Sequence, residues 1–221
     1  MEDVIQEIQQ WTFLASLPAE INGFILKKQL SRRNTQFLIF CYENSGCHRS
    51  FSVLYDSETK DYLAQVVAGL TEYCDIGFIV GDLSALERVL SMRMAKTIHD
   101  LAVFNESSLS SIVKAKKILE WTYAKQLPSE ISGFELYIRP FEPLKVLNGA
   151  YIIIDYSDFA AESNLTIYYN VFRDDFFGEL RLHRTPEMAA VFECKQLNEL
   201  EEKIEVNLRP TLAEMRRRLT E

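Results

Sequence analysis

Two stretches of similar sequence, 110 positions apart, set the organisation of the chain. Residues 11–24 read WTFLASLPAEINGF and residues 121–134 read WTYAKQLPSEISGF. Further along, the match continues at an offset of 114, where residues 37–42 lie over residues 151–156. A loop between strands absorbs the four-residue difference at little cost. Solenoid repeats are far shorter than this period, so the pattern predicts a tandem duplication of a domain-sized unit.

The repeated stretch predicts a helix that leads into a strand. Apolar residues at Val4, Ile8 and Trp11 follow helical spacing, which predicts a helix over residues 3–16. Pro18 ends this helix, because a residue that precedes proline is disfavoured in the helical region. Gly23 then allows a tight entry into the first strand. The second copy predicts the corresponding helix over residues 112–125.

The rest of each unit predicts a meander of strands and a closing helix. In the first copy we expect strands near residues 24–28, 36–43, 50–57, 62–70 and 75–80, although residues 58–70 also suit a short helix. Ser84 and Glu87 have the spacing of a capping box at the start of a helix with an apolar stripe. In the second copy, Pro210 is expected to kink or split the last helix.

These elements predict an α+β fold in two copies. Each copy has an N-terminal helix, a roughly five-stranded antiparallel meander and a C-terminal helix. The expected boundaries are 1–104 for the first unit, 105–111 for a short linker and 112–221 for the second unit. A short linker favours packing of the two units with pseudo-two-fold symmetry, as in a fused dimer.

Composition and charge narrow the range of partners and locations. The formal net charge is −8 and the isoelectric point is about 5.1, which argues against nucleic acid or an anionic membrane as the main partner. The sequence has neither an apolar run of about 20 residues nor a signal-peptide start, so a cytoplasmic location is expected. Three of the four cysteines fall in the first copy, and a disulfide framework would be duplicated with its fold. Reduced thiols are therefore expected.

The sequence offers no recognisable catalytic, metal or cofactor motif. A glycine-rich phosphate loop, a nucleophile elbow and a zinc-protease motif are all missing. Cys41, Cys47 and His48 form the cluster that comes nearest to a set of metal ligands, but they lack the spacing of a zinc site. We therefore predict no catalytic residue, no bound metal and no cofactor.

The strands carry more apolar side chains than one buried face requires. Along the predicted strand Leu165–Phe172, Tyr168 and Phe172 alternate onto the face opposite Leu165 and Ile167, and Leu54 occupies the position of Tyr168 in the first copy. Antiparallel sheets usually expose one polar face to water. This face is therefore covered either by the sister unit or by a partner, and Tyr168, Phe172 and Leu54 are the candidate partner-binding residues.

The sequence leaves two functions open. Composition and architecture resemble the class of small acidic α+β proteins that act by binding, such as secretion chaperones and immunity proteins. The duplicated scaffold, the surplus of apolar side chains on the strands and the missing catalytic motifs favour a non-enzymatic protein-binding module whose partner is another protein. We expect it to be a monomer or a weak homodimer. The alternative is an enzyme or small-molecule-binding protein with a site between the copies, built from unrepeated residues such as His48, Asp155 or His183.

Overall fold

The computed structural model describes residues 2–28, 31–146 and 149–221 and has an α+β architecture with two antiparallel sheets. Each sheet has seven strands, and helices lie at the ends of the strand runs. The chain divides into two compact units, unit 1 (Met1–Val103) and unit 2 (Phe104–Glu221). Each unit contains one of the two sheets.

Unit 1 begins with two short helices and ends with a long one. Its elements are α1 (Glu2–Gln10), α2 (Phe13–Ser16), β1 (Glu20–Ile21), β2 (Phe24–Lys27), β3 (Ser31–Arg33), β4 (Gln36–Asn44), a 3-10 helix (Ser45–Cys47), β5 (Arg49–Asp56), β6 (Asp61–Ala68), β7 (Thr71–Val80) and α3 (Leu83–Ala102). The buried positions of α3 are those of the apolar stripe that the sequence predicts: Leu83, Leu86, Leu90, Met94, Ile98 and Leu101.

Unit 2 starts with short helical turns instead of a regular helix. Its elements are a 3-10 helix (Glu106–Ser108), α4 (Ser111–Ala115), two further 3-10 helices (Ile118–Glu120 and Thr122–Gln126), β8 (Glu130–Ile131), β9 (Phe134–Ile138), β10 (Leu144–Val146), β11 (Ala150–Asp158), β12 (Ser163–Asn170), β13 (Asp175–Leu182), β14 (Thr185–Cys194) and α5 (Leu197–Thr220). Its apolar core includes Trp121, Phe134, Tyr156, Phe192 and Leu208.

The two sheets have the same strand order. In unit 1 the order is β1-β2-β4-β5-β6-β7 with β3 beside β4, and in unit 2 it is β8-β9-β11-β12-β13-β14 with β10 beside β11. The predicted meander of about five strands is therefore present, but each sheet gains two strands of two or three residues. Such strands are too short to show an alternation in the sequence.

Both predicted N-terminal helices are interrupted. In unit 1 the helix ends at Gln10 and a four-residue helix follows from Phe13, where the sequence predicts one helix over 3–16. In unit 2 the prediction of a helix over 112–125 is wrong. Lys117 takes a left-handed conformation with φ 55° and separates α4 from the 3-10 helices. A residue in that region cannot continue a right-handed helix.

The three remaining expectations have clear outcomes. Residues 61–68 form strand β6, so the strand alternative for residues 58–70 is confirmed. The cap of α3 is Asp82, whose carboxylate accepts the Ala85 N–H at 2.7 Å, and the predicted Ser84–Glu87 capping box is wrong. Helix α5 runs unbroken through Pro210, so the last helix is not split.

Among the described residues, no helix combines the length and apolar character needed to cross a membrane.

Candidate functional site

The residues shared by the two repeated stretches serve as structural anchors. The Trp11 indole N–H donates to Glu87 Oε2 at 2.7 Å, and the Trp121 indole N–H donates to Glu201 Oε2 at 3.0 Å. Each bond ties the stretch to the first turns of the long helix in its unit. Tyr42 and Tyr156 then donate their hydroxyls to the carbonyls of the prolines, Pro18 and Pro128, both at 2.7 Å.

Two of the three candidate partner-binding residues are buried. Leu54 and Tyr168 are each 6% exposed. Leu54 lies in β5 opposite Leu38 and Leu63, and Tyr168 lies in β12 opposite Phe177. The Tyr168 and Phe177 rings stack, with centroids 4.9 Å apart and planes 13° apart.

Phe172 is the third candidate, and it is exposed on a turn. Strand β12 ends at Asn170, so the strand alternation that paired Phe172 with Tyr168 does not extend to it. Asn170 Oδ1 accepts the N–H groups of Phe172 and Arg173 at 2.9 and 3.1 Å, and this side-chain bonding starts the turn. The Phe172 side chain is 79% exposed.

The turn that carries Phe172 is held in place at both ends. The Val171 N–H donates to the Gly149 carbonyl at 2.8 Å. Gly149 has φ +71°, and a Cβ at this position would lie 2.5 Å from Phe172 Cε2, so the ring sits directly against the glycine backbone. On the other side, Asp174 Oδ1 accepts the Tyr169 hydroxyl at 2.6 Å and pairs with Lys116 Nζ at 2.8 Å. These contacts lower the pKa of Asp174, chiefly through the bond from Lys116.

Unit 1 contains a turn of the same kind with a different residue at the tip. Asp56 Oδ1 accepts the N–H groups of Glu58 and Thr59 at 2.9 and 3.3 Å. These bonds lower the pKa of Asp56, and the one from the Glu58 N–H contributes most. At the sequence offset of 114, Glu58 corresponds to Phe172, and its side chain is exposed. The turn therefore forms without an aromatic residue.

A group of polar side chains lies buried in the middle of the unit 2 sheet. Asp155 stands opposite Thr166, and Thr166 Oγ1 donates to Asp155 Oδ2 at 2.8 Å. Asn164 Nδ2 donates to the same carboxylate oxygen at 2.8 Å, and Ser157 Oγ donates to Asp155 Oδ1. These four side chains are at most 1% exposed. On the neighbouring strand, Arg181 pairs with Glu179 at 2.5 Å.

The surroundings of Asp155 shift the pKa of its carboxyl. Burial raises the pKa of its carboxyl above the ordinary 3.8, while the bonds from Ser157, Thr166 and Asn164 and the charge of Arg181 act in the opposite direction. Asp155 is therefore a weaker acid than an exposed aspartic acid. The bonds that its carboxylate accepts join strands β11 and β12.

The other unrepeated residues are not joined to Asp155 by any described bond. His48 ends the 3-10 helix of unit 1 with φ 52°, and its carbonyl accepts the Gly69 N–H at 2.9 Å. His183 lies in the β13–β14 turn with φ 48° and donates its backbone N–H to Ser163 Oγ at 3.0 Å. Both positions are turn positions, which suits their positive φ. In the parts of the chain that the structure covers, no three His, Cys, Asp or Glu side chains are placed to hold a metal ion.

Sequence reasoning named Asp155 but missed its partners. A signal for them exists, because polar residues occupy alternate positions in three successive strands: Asp155 and Ser157, Asn164 and Thr166, Glu179 and Arg181. Period-two polar residues within apolar strands indicate one polar strip on a sheet face. No protein-family model matches the chain, and the comparisons with curated proteins and with solved structures gave no match either.

Proposed function

We propose that this chain is a non-enzymatic protein-binding module and that Phe172 is the anchor of its partner site. The observation that supports the proposal is a phenylalanine that is 79% exposed on a turn whose backbone is fixed by Asn170 and Gly149. Aromatic residues held rigidly at a surface are typical energetic centres of protein interfaces.

The turn itself does not require an aromatic residue at this position. The corresponding turn of unit 1 has the same side-chain bonding and carries Glu58 at its tip. A pocket on the partner would remove the exposed ring of Phe172 from water. The removal of apolar surface from water is favourable for binding. Tyr168 and Leu54, which the sequence also assigns to the partner site, lie beneath the surface. We infer that they stabilise the strands that lead into the two turns.

We also propose that the two units are copies of one ancestral unit. Their common strand order, the matched tryptophan–glutamate bonds and the matched tyrosine–proline bonds support a duplication. A pseudo-two-fold arrangement of the copies, which the repeat also predicts, stays a prediction. On this proposal the second copy acquired Phe172 as a binding residue, whereas the first copy kept a polar turn.

The test is partner capture with the variant Phe172→Glu, which copies the residue found in unit 1. We expect it to weaken partner binding by at least about 2 kcal/mol, roughly thirtyfold in affinity, as for other interface anchors. Its free energy of unfolding should stay within about 0.5 kcal/mol of the parent, because the site is exposed. Affinity capture from native extract, followed by titration of the purified partner, measures both the loss and its size.

Phe141→Glu is the matched control, because Phe141 is another exposed phenylalanine of unit 2, with 37% exposure. A protein that is captured by the parent and by Phe141→Glu, but not by Phe172→Glu, supports the proposal. A partner that all three proteins bind equally well would contradict Phe172 as the anchor. Light scattering of each sample shows whether the captured protein is a second copy of this chain.

A further inference from the structure

Unit 1 contains an open cleft where α1 meets the start of α3. Its volume is about 280 Å³, and it is lined by Glu7, Gln10, Trp11, Thr12, Leu83, Ser84 and Glu87. Glu7 and Glu87 contribute carboxylates to this lining, and Trp11 contributes an indole. Among the described residues, the lining includes no basic side chain. Small-molecule sites usually start near this size, at about 300 Å³.

The carboxylate and the indole in the cleft are fixed by each other. The Trp11 N–H donates to Glu87 Oε2 at 2.7 Å, and the Trp11 ring stacks on Phe13 with centroids 5.0 Å apart. Trp11 is half-buried, so part of it remains open to the cleft. An aromatic face beside a carboxylate is the arrangement that attracts an organic cation.

The lining of the cleft is acidic, because Glu7 and Glu87 are the two charged side chains in it. The first turn of α3 contributes a partial positive charge, but Asp82 caps that turn by accepting the Ala85 N–H. No described basic side chain forms an ion pair with Glu7 or Glu87.

Unit 2 has the same indole bond, but its indole is buried. Trp121 donates to Glu201, yet Trp121 is 8% exposed and belongs to the apolar core together with Leu109 and Val113. At the sequence offset of 110, Lys117 stands in the place of Glu7. The partial exposure of Trp11 and the carboxylate of Glu7 are therefore features of unit 1 that the tryptophan–glutamate anchor does not require.

We propose that this cleft binds an organic cation, a guanidinium or alkylammonium group, between the Trp11 ring and the carboxylates of Glu7 and Glu87. The indole contributes a cation–π contact and the carboxylates contribute charge-assisted hydrogen bonds. The site is separate from the proposed anchor at Phe172 and does not depend on it. The cation can belong to an arginine or lysine side chain of another protein, or to a free amine.

The two tryptophans of the chain make the test specific, because each gives one indole N–H resonance in the NMR spectrum. The parent protein is titrated with N-acetylarginine amide, with putrescine, and with neutral N-acetylglutamine amide, and a Trp11→Phe variant assigns the two resonances. We expect both cations to shift the Trp11 resonance saturably and to leave Trp121 unmoved, while the neutral amide moves neither. Tighter binding of the capped arginine identifies a protein side chain as the natural source, and tighter binding of putrescine identifies a free amine.

Glu7→Gln keeps the shape of the cleft and removes one charge. It should weaken cation binding about two- to fivefold, the size expected for an exposed ion pair, and added salt should weaken binding to the parent more than to this variant. A Trp11 resonance that no cation moves, equal shifts of both indoles, or equal binding by the parent and Glu7→Gln would each overturn the proposal. A loss of capture by Phe172→Glu leaves this test unaffected, so the two proposals fail separately.

Discussion

At the scale of single residues, the ionisation of Asp155 is linked to folding. Its carboxyl is buried, and burial raises its pKa above 3.8. The unfolded chain therefore loses this proton first, and the contribution of Asp155 to stability falls as the pH rises from about 4 to the folded pKa. Above the folded pKa the penalty is constant.

Asp155→Asn removes this pH dependence while it keeps an oxygen acceptor. At neutral pH we expect the variant to be as stable as the parent or more stable, with its advantage growing as the pH rises above about 4. Asp155→Ala instead leaves the donors of Ser157, Thr166 and Asn164 unpaired and should cost about 1–3 kcal/mol. Denaturant unfolding across the pH range measures both variants. An advantage for Asp155→Asn that shrinks toward neutral pH would show that the carboxylate is stabilised in the fold.

The tyrosine–proline bonds allow a second test at this scale. Tyr156→Phe leaves the Pro128 carbonyl without its donor, and Tyr42→Phe does the same to Pro18. Each change should lower the free energy of unfolding by about 1 kcal/mol, the usual net value of one hydrogen bond. Denaturant titration measures the loss, with Tyr123→Phe as the control because no described hydrogen bond involves its hydroxyl. A neutral result at both sites would mean that water replaces the tyrosine hydroxyls without loss.

At the scale of elements, helix α5 contains its own defect. Pro210 lies inside the helix on an exposed face, and it cannot donate to the carbonyl of Val206, which is itself 68% exposed. Because Val206 and Pro210 are both exposed, this side of the helix faces water, and the helix is not split there. The helix is retained because its opposite face, which includes Leu208 and Leu212, is buried in the core.

Pro210→Ala should therefore stabilise unit 2. It restores a donor and a good helix former, and we expect a gain of about 1–3 kcal/mol, reduced by the greater freedom of the unfolded chain. Thermal and denaturant unfolding measure the gain. Glu202→Ala, an exposed change in the same helix, should stay within about 0.5 kcal/mol of the parent. A loss of stability in Pro210→Ala would show that the helix needs the bend that a proline favours.

How far the sequence predicts these elements depends on their length and on tertiary bonds. Strands such as β6 and the apolar stripe of α3 follow from periodicity, because many residues of each element place apolar side chains on the same face. The cap of α3 does not follow, because Glu87, the expected partner of Ser84 in a capping box, is bonded instead to Trp11 from a distant part of the chain. The break between α4 and the next 3-10 helix depends on the left-handed conformation of one residue, Lys117. Glycine is the residue that usually indicates this conformation, and the sequence has a lysine here.

At the scale of the whole molecule, the sequence predicts the fold better than the exposure of the candidate binding residues. Alternation along one strand paired Tyr168 with Phe172, but Asn170 turns the chain between them, so one is buried and the other exposed. The Trp11 cleft does not follow from the sequence either, because the repeat places Trp11 and Trp121 at equivalent positions. What distinguishes Trp11 from Trp121 is exposure, and exposure is a property of packing that a local pattern does not encode.

The core of unit 2 gives the last prediction. All of its members lie between Leu109 and Met215, so the unit draws its apolar core from its own residues. We therefore expect residues 104–221, expressed alone, to fold and to give backbone amide resonances for β11–β13 close to those of the full chain. The fragment should also capture the partner through Phe172, and Phe172→Glu within the fragment should abolish that capture. A fragment that stays unfolded would contradict a self-sufficient core, whereas a folded fragment that captures nothing would place the partner site in residues 1–103 and remove Phe172 as its anchor.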